Sequence, residues 1–460
     1  MRPVNTSARL LLDNELRLRG RSDATTLAAT LGVSVPSIHR IVRERGSDIV
    51  RVGMTKNARY ALRRALRGQA SSIPVYAIDA KGRGRELASM DLVVPQGSVL
   101  DVRSMGWPTP PGNHSWWDGM PYPLQDMRPQ GFLGRSFARQ ISQDFGVSEN
   151  PEDWSDDDVI HVLTLRGSDN PGNLIIGESA YRAYLGSLTQ PIDYIAELAL
   201  PDRYAELAQI ATQYGGGGSS AGGEFPKFTA MRELAGALTP HVIVKFSGAD
   251  DSAAVRRWSD LLVCEHLALE VLRHDKSLPA ASSRIIVAHG RTFLEVERFD
   301  RVGDFGRIAT TSLASLDGAF IGMGNGSWVE VANRLVKEGV LPHMLIEGIC
   351  TLRWFGRLIA NNDMHFGNLA FLLEPEVSLS PAYDMLPMLY APLAGGEVPQ
   401  RQFETALPMP VEQGAWDVAS KMALAFWDAA AKDDRITAGF REICHTNLQM
   451  LIMIGERLKA

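Results

Sequence analysis

The sequence predicts an α+β protein, with a winged helix-turn-helix over residues 1–68 ahead of a larger mixed α/β body. Three observations carry that expectation. The first 68 residues hold 14 Arg and Lys against 5 Asp and Glu, a net of +9 in a chain whose total is −6, so the remainder carries −15. Within that basic stretch, caps, apolar stripes and a polar turn follow one another in the order helix, tight turn, helix, hairpin. Beyond residue 71, short β-branched runs interleave with helix-period segments. The 460 residues, 45% hydrophobic and 22% charged, suit a globular chain of two or three domains.

The basic module reads as follows. Ser22 or Asp23 can cap a helix over 24–31, which Gly32 ends; after the Gly32-Val33 turn, Ser34 caps a second helix. Pro36 sits in its first turn, where the missing N–H costs little. Val35, Ile38, Ile41 and Val42 form the inward stripe, which turns Ser34, Ser37, Arg40 and Arg43 outward. Runs 49–52 and 58–62 flank a polar turn at 54–57, a hairpin wing able to bring Lys56 to a phosphate. A second helix placed to enter a major groove, together with the charge, makes double-stranded DNA the expected partner. The alternative is a helical hairpin with a solvated basic face.

From 71 to about 210 the chain reads as mixed α/β, with strands at 75–78 and 92–94 around a polar turn. A short helix over 158–165 precedes a loop at 166–173. The Pro-, Gly- and Trp-rich stretch 106–131 reads as an ordered loop whose Trp116 and Trp117 pack on the body. Nothing in this region names a chemistry. Cys264, Cys350 and Cys444 are few, widely spaced and set among apolar residues, which suits buried reduced thiols in a cytoplasmic protein. No apolar run approaches the roughly 20 residues a membrane crossing needs, and the N-terminus lacks a signal-peptide core, so no membrane is expected among the partners.

Chemistry enters at 215–224, where four glycines lead into Ser219, Ser220, Ala221, Gly222 and Gly223. Such backbone can cradle phosphates or serve as a flexible linker. An apolar strand over 241–246 carries one lysine, Lys245, able to reach those phosphates; otherwise it would be a snorkelling surface residue. Glu265, on a helix over 258–272, could pair with it or be exposed. Residues 292–301 run from strand into turn, and such backbone can offer N–H and C=O groups to adenine. The strongest signal is Asp363-Met364-His365-Phe366-Gly367-Asn368, followed by Tyr383-Asp384 on a return strand. In kinase-type phosphotransferases an Asp so placed deprotonates the acceptor hydroxyl, and an Asn five residues on holds a metal on ATP. Asp384 would complete a hard-oxygen site for Mg²⁺.

In these elements the chain resembles the HipA-like serine/threonine toxin kinases of bacterial toxin–antitoxin systems. The likeness covers 71–460: the Ser219 to Gly223 loop, Lys245, the Glu297-Arg298-Phe299-Asp300-Arg301 hinge, the Asp363 to Asn368 loop, and Ala382-Tyr383-Asp384. With a helix-turn-helix fused ahead, the plan is most like the YjjJ branch. The resemblance implies a two-lobed kinase, with an N-terminal lobe over 69–301 (its first subdomain reaching about 210) and a mostly helical C-terminal lobe over 302–460. It implies Asp363 as catalytic base and Asn368 and Asp384 as Mg²⁺ ligands. Lys245 and the Ser219–Gly223 loop would contact ATP, and the backbones of Glu297 and Phe299 would bind adenine. It further implies self-inactivation by phosphorylation of Ser219 or the adjacent Ser220, where added negative charge would repel nucleotide phosphates. The implied substrate is a protein, an aminoacyl-tRNA synthetase being the family's precedent; the DNA-binding antitoxin is usually a separate partner.

Two departures stand out. Phe366-Gly367 replaces a pair that often ends in Lys, and Phe225 replaces a common polar residue. The loop also resembles the D-x-H-x-x-N motif of small-molecule phosphotransferases, a rival reading. A DNA-binding regulator that senses nucleotide without turnover is another. A metal-dependent hydrolase using His343, Asp363 and His365 is a third, with no third ligand of matching spacing. In the kinase readings His365 braces the loop through its ring N–H.

Overall fold

The computed structural model describes residues 6–112, 115–215, 225–233, 236–275 and 278–459. The first module begins with α1 (Thr6–Arg19), followed by β1 (Arg21–Asp23), α2 (Ala24–Leu31), α3 (Val35–Arg45), β2 (Ile49–Val52) and β3 (Arg59–Leu62). Asp23 caps α2 by accepting from the Thr25 and Thr26 amides at 3.0 and 2.9 Å, and Gly32 closes it at φ +65°. Ser34 caps α3 and accepts from Ser37 N at 3.3 Å. The strands form an antiparallel sheet in the order β1-β3-β2. Leu12, Leu16, Leu27, Ile38, Ile41, Tyr60 and Leu62 fill a small separate core; Val35 and Val42 flank it half-buried.

This module is sewn to the body. Val94 N donates to Leu62 O at 3.0 Å and Arg64 N to Leu92 O at 2.8 Å. Arg63, Arg64 and Arg67 pair with Asp91, Asp157 and Asp158. Three of the fourteen cations counted toward a polyanion are therefore already held by carboxylates of the body.

The next unit is a five-stranded antiparallel sheet built from β4 (Ile73–Ile78), β5 (Gly84–Leu92), β6 (Ser98–Val99) and β7 (Trp116–Trp117). After helices α4 (Gly131–Phe145) and α5 (Asp156–Arg166) comes β8 (Leu174–Ile176), then α6 (Glu178–Ser187). The sheet order is β7-β6-β5-β4-β8. The strand expected at 92–94 in fact runs from Gly84 and ends at Leu92. It was hidden because one face meets solvent, so Arg85 and Glu86 interrupt the apolar signal.

After α7 (Leu200–Gly215), a four-stranded antiparallel sheet forms from β9 (Lys227–Met231), β10 (His241–Phe246), β11 (Ser283–Ala288) and β12 (Arg291–Glu297), with α8 (Ala253–Asp275) inserted before β11. Its order is β11-β12-β10-β9. The region expected to be mostly helical also holds two small sheets: a hairpin β13 (Arg301–Val302) and β14 (Gly306–Arg307), and a sheet that starts with β15 (Thr310–Ser312). Helices α9 (Leu313–Phe320), α10 (Trp328–Lys337) and α11 (Leu345–Leu358) come next; β16 (Ala370–Leu372) and β17 (Ser378–Leu379) then complete the second sheet. The chain ends in the paired helices α12 (Gln413–Lys432) and α13 (Ala438–Lys459). One apolar core runs from Ile73 through α8 to Leu451, so the five-stranded sheet and the C-terminal helices pack as a continuous body. No described helix is long and apolar enough to cross a membrane.

Candidate active site

β10 places Lys245 opposite Leu294 on one neighbour and opposite Lys227 on the other. Its Nζ donates to both oxygens of Glu265 at 2.6 and 2.8 Å and to Asp384 Oδ1. Glu265, on α8, is 1% exposed, so the pairing that the sequence left open is a buried one. One ammonium thus sits between two carboxylates. Burial pushes the Lys245 pKa down, but Asp384 and Glu265 outweigh it and hold the group well above its usual range. Burial pushes Glu265 up against the pull of Lys245, and Asp384 adds to the rise. For Asp384, burial is outweighed by Lys245 and Lys227, which hold it low.

The Asp363 loop follows α11, whose last carbonyl, Leu358 O, accepts from Trp427 Nε1 at 2.9 Å. Ala360 turns the chain at φ +60°. Asn361 then ties two segments together: its Oδ1 accepts from Asp363 N and its Nδ2 donates to Asp384 O, both at 3.1 Å. Asp384 itself is held at φ +53°, an unfavourable region for a non-glycine residue that this network over-determines. Asn368 Nδ2 donates to Asp363 O at 2.8 Å, and its Oδ1 accepts from no described residue. Tyr383 OH donates to Gly367 O at 2.6 Å. His365 braces the loop differently from the expectation: its Nδ1 accepts from Gly367 N at 3.1 Å, and its carbonyl accepts from Trp328 Nε1 at 3.1 Å. A short loop that buries few apolar groups is fixed this way by polar bonds.

Asp363, Asn368 and Asp384 line one cleft of about 1210 Å³, together with Lys227 and, from the five-stranded sheet's side, Trp117 and Asp126. Asp384 keeps 32% exposure toward it, whereas Lys245 lies behind Asp384. An amide oxygen and a carboxylate are hard donors, the set Mg²⁺ prefers. Trp117 packs as expected, with Nε1 donating to Leu100 O at 3.0 Å, though it also borders the cleft. His343 sits on the exposed turn ahead of α11 and borders neither cavity that Asp363 lines.

Glu297 and Phe299 stand at the end of β12 and in the next turn, outside the cleft wall. Glu297 N already donates to Ser282 O at 2.9 Å, so only its carbonyl could meet a base; its carboxylate takes Arg232 Nη2 at 2.8 Å. The Phe299 ring lies 5.6 Å from that of Tyr383, which does border the cleft. Ser219, Ser220, Ala221, Gly222 and Gly223 fall outside the described residues. In the first module Ser34, Arg40 and Arg43 are exposed along α3, and Ser37 is half-buried with its hydroxyl 2.9 Å from that of Ser34. Lys56 lies in the turn between β2 and β3, its side chain outside the described part.

Two residues escaped the sequence reading. Asn361 had a signal, the Asn-Asn pair just ahead of Asp363. Lys227 had none beyond lying a few residues past the glycine loop; only strand register puts it beside Lys245.

Comparison with known proteins places this geometry. Residues 69–185 match a family model described as the middle domain of YjjJ-like toxins, and 219–449 match the HipA-like C-terminal domain. Over 449 residues the chain is 35% identical to Toxin YjjJ of Escherichia coli (strain K12), covering 96% of this chain and 98% of that protein. The chain belongs to the family of YjjJ-like toxins. The HipA-like match contains Lys245, Glu265, Asp363, Asn368 and Asp384, while Trp117 and Asp126 come from the YjjJ-like middle domain. Among solved structures, HipA of Shewanella oneidensis MR-1, in its complex with HipB and operator DNA, aligns at 14% identity with a TM-score of 0.48, over 84% of this chain and 97% of that one. The Helicobacter pylori proinflammatory kinase CtkA aligns at 13% identity and 0.35, over 51% and 90%.

Proposed function

We propose that this YjjJ-like chain is an ATP- and Mg²⁺-dependent protein kinase that phosphorylates serine or threonine on a protein, as a growth-inhibiting toxin. The observation that carries this reading is the meeting of Asp363, Asn368 and Asp384 on one cleft, backed by the buried Lys245–Glu265 pair. Asp363 would accept the proton of the acceptor hydroxyl as its oxygen bonds to the γ-phosphorus, while the bond to the bridging oxygen breaks and ADP leaves. Lys227, on the cleft wall, would face the phosphates with fixed positive charge, and Lys245 would add its charge from behind Asp384, the largest contribution a protein makes to this reaction. Lys227 would stand in for the cation that Phe366-Gly367 lacks. Mg²⁺, which Asn368 and Asp384 would hold, neutralises phosphate charge when bound. The carbonyl of Glu297 and the amide of Phe299 would meet adenine, and the Ser219–Gly223 loop would cover the phosphates until Ser219 or Ser220 is itself phosphorylated.

We read residues 1–68 as a winged helix-turn-helix that binds duplex DNA through Ser34, Ser37, Arg40, Arg43 and Lys56, residues 69–301 as the N-terminal lobe, and 302–460 as the C-terminal lobe. The exposed arginines of α3 support the DNA reading. The deciding experiment is intact mass and peptide mapping of purified protein, dephosphorylated first and then incubated with ATP and Mg²⁺. A phosphate on Ser219 or Ser220, absent from Asp363→Asn, is the expected result. No phosphate in either, despite measurable ATP binding, favours a nucleotide sensor.

A further inference from the structure

Asp363 borders two cavities. On its other side from the nucleotide cleft lies a second one of about 550 Å³, walled by the 324–328 loop, the face of α11 that carries Arg353 and Arg357, and the segment 403–405. On the kinase reading this cavity would take the acceptor, because a hydroxyl that gives its proton to Asp363 must approach from a direction the ATP phosphates do not fill.

The two arginines are not equivalent. Arg353 Nη1 bonds Glu412 Oε1 at 3.1 Å. Arg357, one turn on, has no carboxylate partner among the described residues; its guanidinium stacks 4.9 Å from the Trp354 ring, against which Arg353 also lies at 5.3 Å. Like charges four residues apart on a helix repel. Half-burial and then the Arg353 charge push the Arg357 pKa down, and the Glu412 carboxylate offsets them only in part. Two half-buried cations that share the one carboxylate of Glu412, which bonds Arg353, make an arrangement that an incoming anion relieves. Besides Asp363, the cavity is lined by one further exposed acid, Glu404, whose negative charge at the rim opposes the entry of another carboxylate.

Resting on the kinase reading above, we propose that this cavity selects the acceptor, and that Arg357 binds the carboxylate of an Asp or Glu flanking the phosphorylated Ser or Thr in a polypeptide. Arg offers a planar fork that matches a carboxylate bidentately. The same charge disfavours cationic small acceptors such as aminoglycosides or choline, which separates this chain from the small-molecule phosphotransferases that its loop resembles. Phe403 and Trp328 give the cavity apolar walls for the rest of the segment.

The test uses full-length protein, Mg·ATP and a Ser/Thr-centred peptide library in which each flanking position is fixed in turn as Asp, Glu, Ala or Lys. Wild type is expected to favour an acid over Lys at one position by about tenfold, the effect of one charge-assisted contact. Equal use of acid and Lys at every position overturns the assignment while leaving the kinase reading intact. No transfer to any peptide by protein that phosphorylates itself overturns the assignment alone; no transfer and no self-phosphorylation, with ATP bound, overturns both. In Arg357→Met, the preference should fall to near parity, and Arg357→Lys should restore part of it; a preference retained in Arg357→Met overturns the role of that residue. Should Arg357→Met fail to fold, Glu404→Gln at the exposed rim is expected to strengthen the acid preference, and an unchanged ratio there overturns the proposal.

Discussion

Lys227 and Lys245 are direct cross-strand partners on β9 and β10, so two ammonium groups share one face of the sheet beside the Asp384 carboxylate. Like charges directly opposite one another destabilise a strand pair. Here Glu265 and Asp384 compensate, and the two lysines are expected to respond very unequally to mutation. Lys245→Met leaves the buried Glu265 carboxylate without its cation, beside the part-exposed Asp384, and should cost about 3–5 kcal/mol, as breaking a buried pair does. Lys227 is half-buried at the cleft, and Lys227→Met should change stability by no more than about 1 kcal/mol. Urea denaturation of the two variants checks this. A Lys245→Met, Glu265→Met double variant should be more stable than Lys245→Met alone, because the orphaned carboxylate is gone.

Asp363→Asn should keep the loop folded, since Asp363 holds Asn361 and Asn368 through its backbone N–H and C=O rather than its carboxylate. Phosphate transfer, followed with labelled ATP, should fall by at least about 100-fold, the range removed with a general base. ATP affinity by calorimetry should stay close to wild type. A rate that remains normal in folded Asp363→Asn removes the assigned base.

Much of this site was legible because its chemistry is local in sequence. Asp363 and Asn368 are five residues apart on one loop, and Asp384 returns on the next short strand. What was not legible depends on distance. Lys245 meets Glu265 only because α8 packs its buried face under the sheet, and nothing in a lone strand lysine reveals whether it snorkels or is clamped. Lys227 needed strand register. Asp126 reaches Ser312 N, Ser312 Oγ and Ser315 Oγ at 2.7, 2.6 and 2.7 Å from nearly two hundred residues away, a contact no local pattern announces. In the first module the helix pair was readable from its caps and apolar stripe, yet the charge count overstated what is available to DNA. Arg63, Arg64 and Arg67 pair with Asp91, Asp157 and Asp158 of the body, Arg67 while still exposed.

That distinction can be measured. With Arg40 and Arg43 exposed on α3, replacing both by Ala should weaken duplex binding and flatten its dependence on salt by about 0.9 per lost phosphate contact. Arg64→Ala should leave the salt slope unchanged, because its guanidinium already bonds Asp157, with Nη2 to Oδ1 at 2.8 Å. It should instead loosen the module from the body, seen as faster proteolytic cleavage near residue 68 in Arg64→Ala. Anisotropy titrations at several salt concentrations separate the two; an equal loss of slope in both variants would sink the division between DNA-facing and body-facing arginines.

The turn after β12 gives a prediction in pH. Asp300 Oδ2 accepts from Gly172 N at 2.9 Å and Arg301 Nη1 at 2.7 Å, and its Oδ1 accepts from Arg298 Nε at 3.0 Å. Burial pushes this carboxyl up, but Arg298 and then Arg301 outweigh it and hold it well below the usual range. A depressed folded pKa means that the unfolded chain takes up the proton first on acidification. The stabilisation is therefore complete above the unfolded value of about 3.9 and is lost as pH falls from there toward the folded value. Asp300→Asn leaves two buried arginines short of a counter-charge and should cost about 3–5 kcal/mol near neutrality. The gap between wild type and variant, measured by urea denaturation at a series of pH values, should be constant above the carboxylate range and narrow below about pH 4. A gap that widens in acid would mean that Asp300 is protonated in the native protein and that the turn is held by something other than this ion pair.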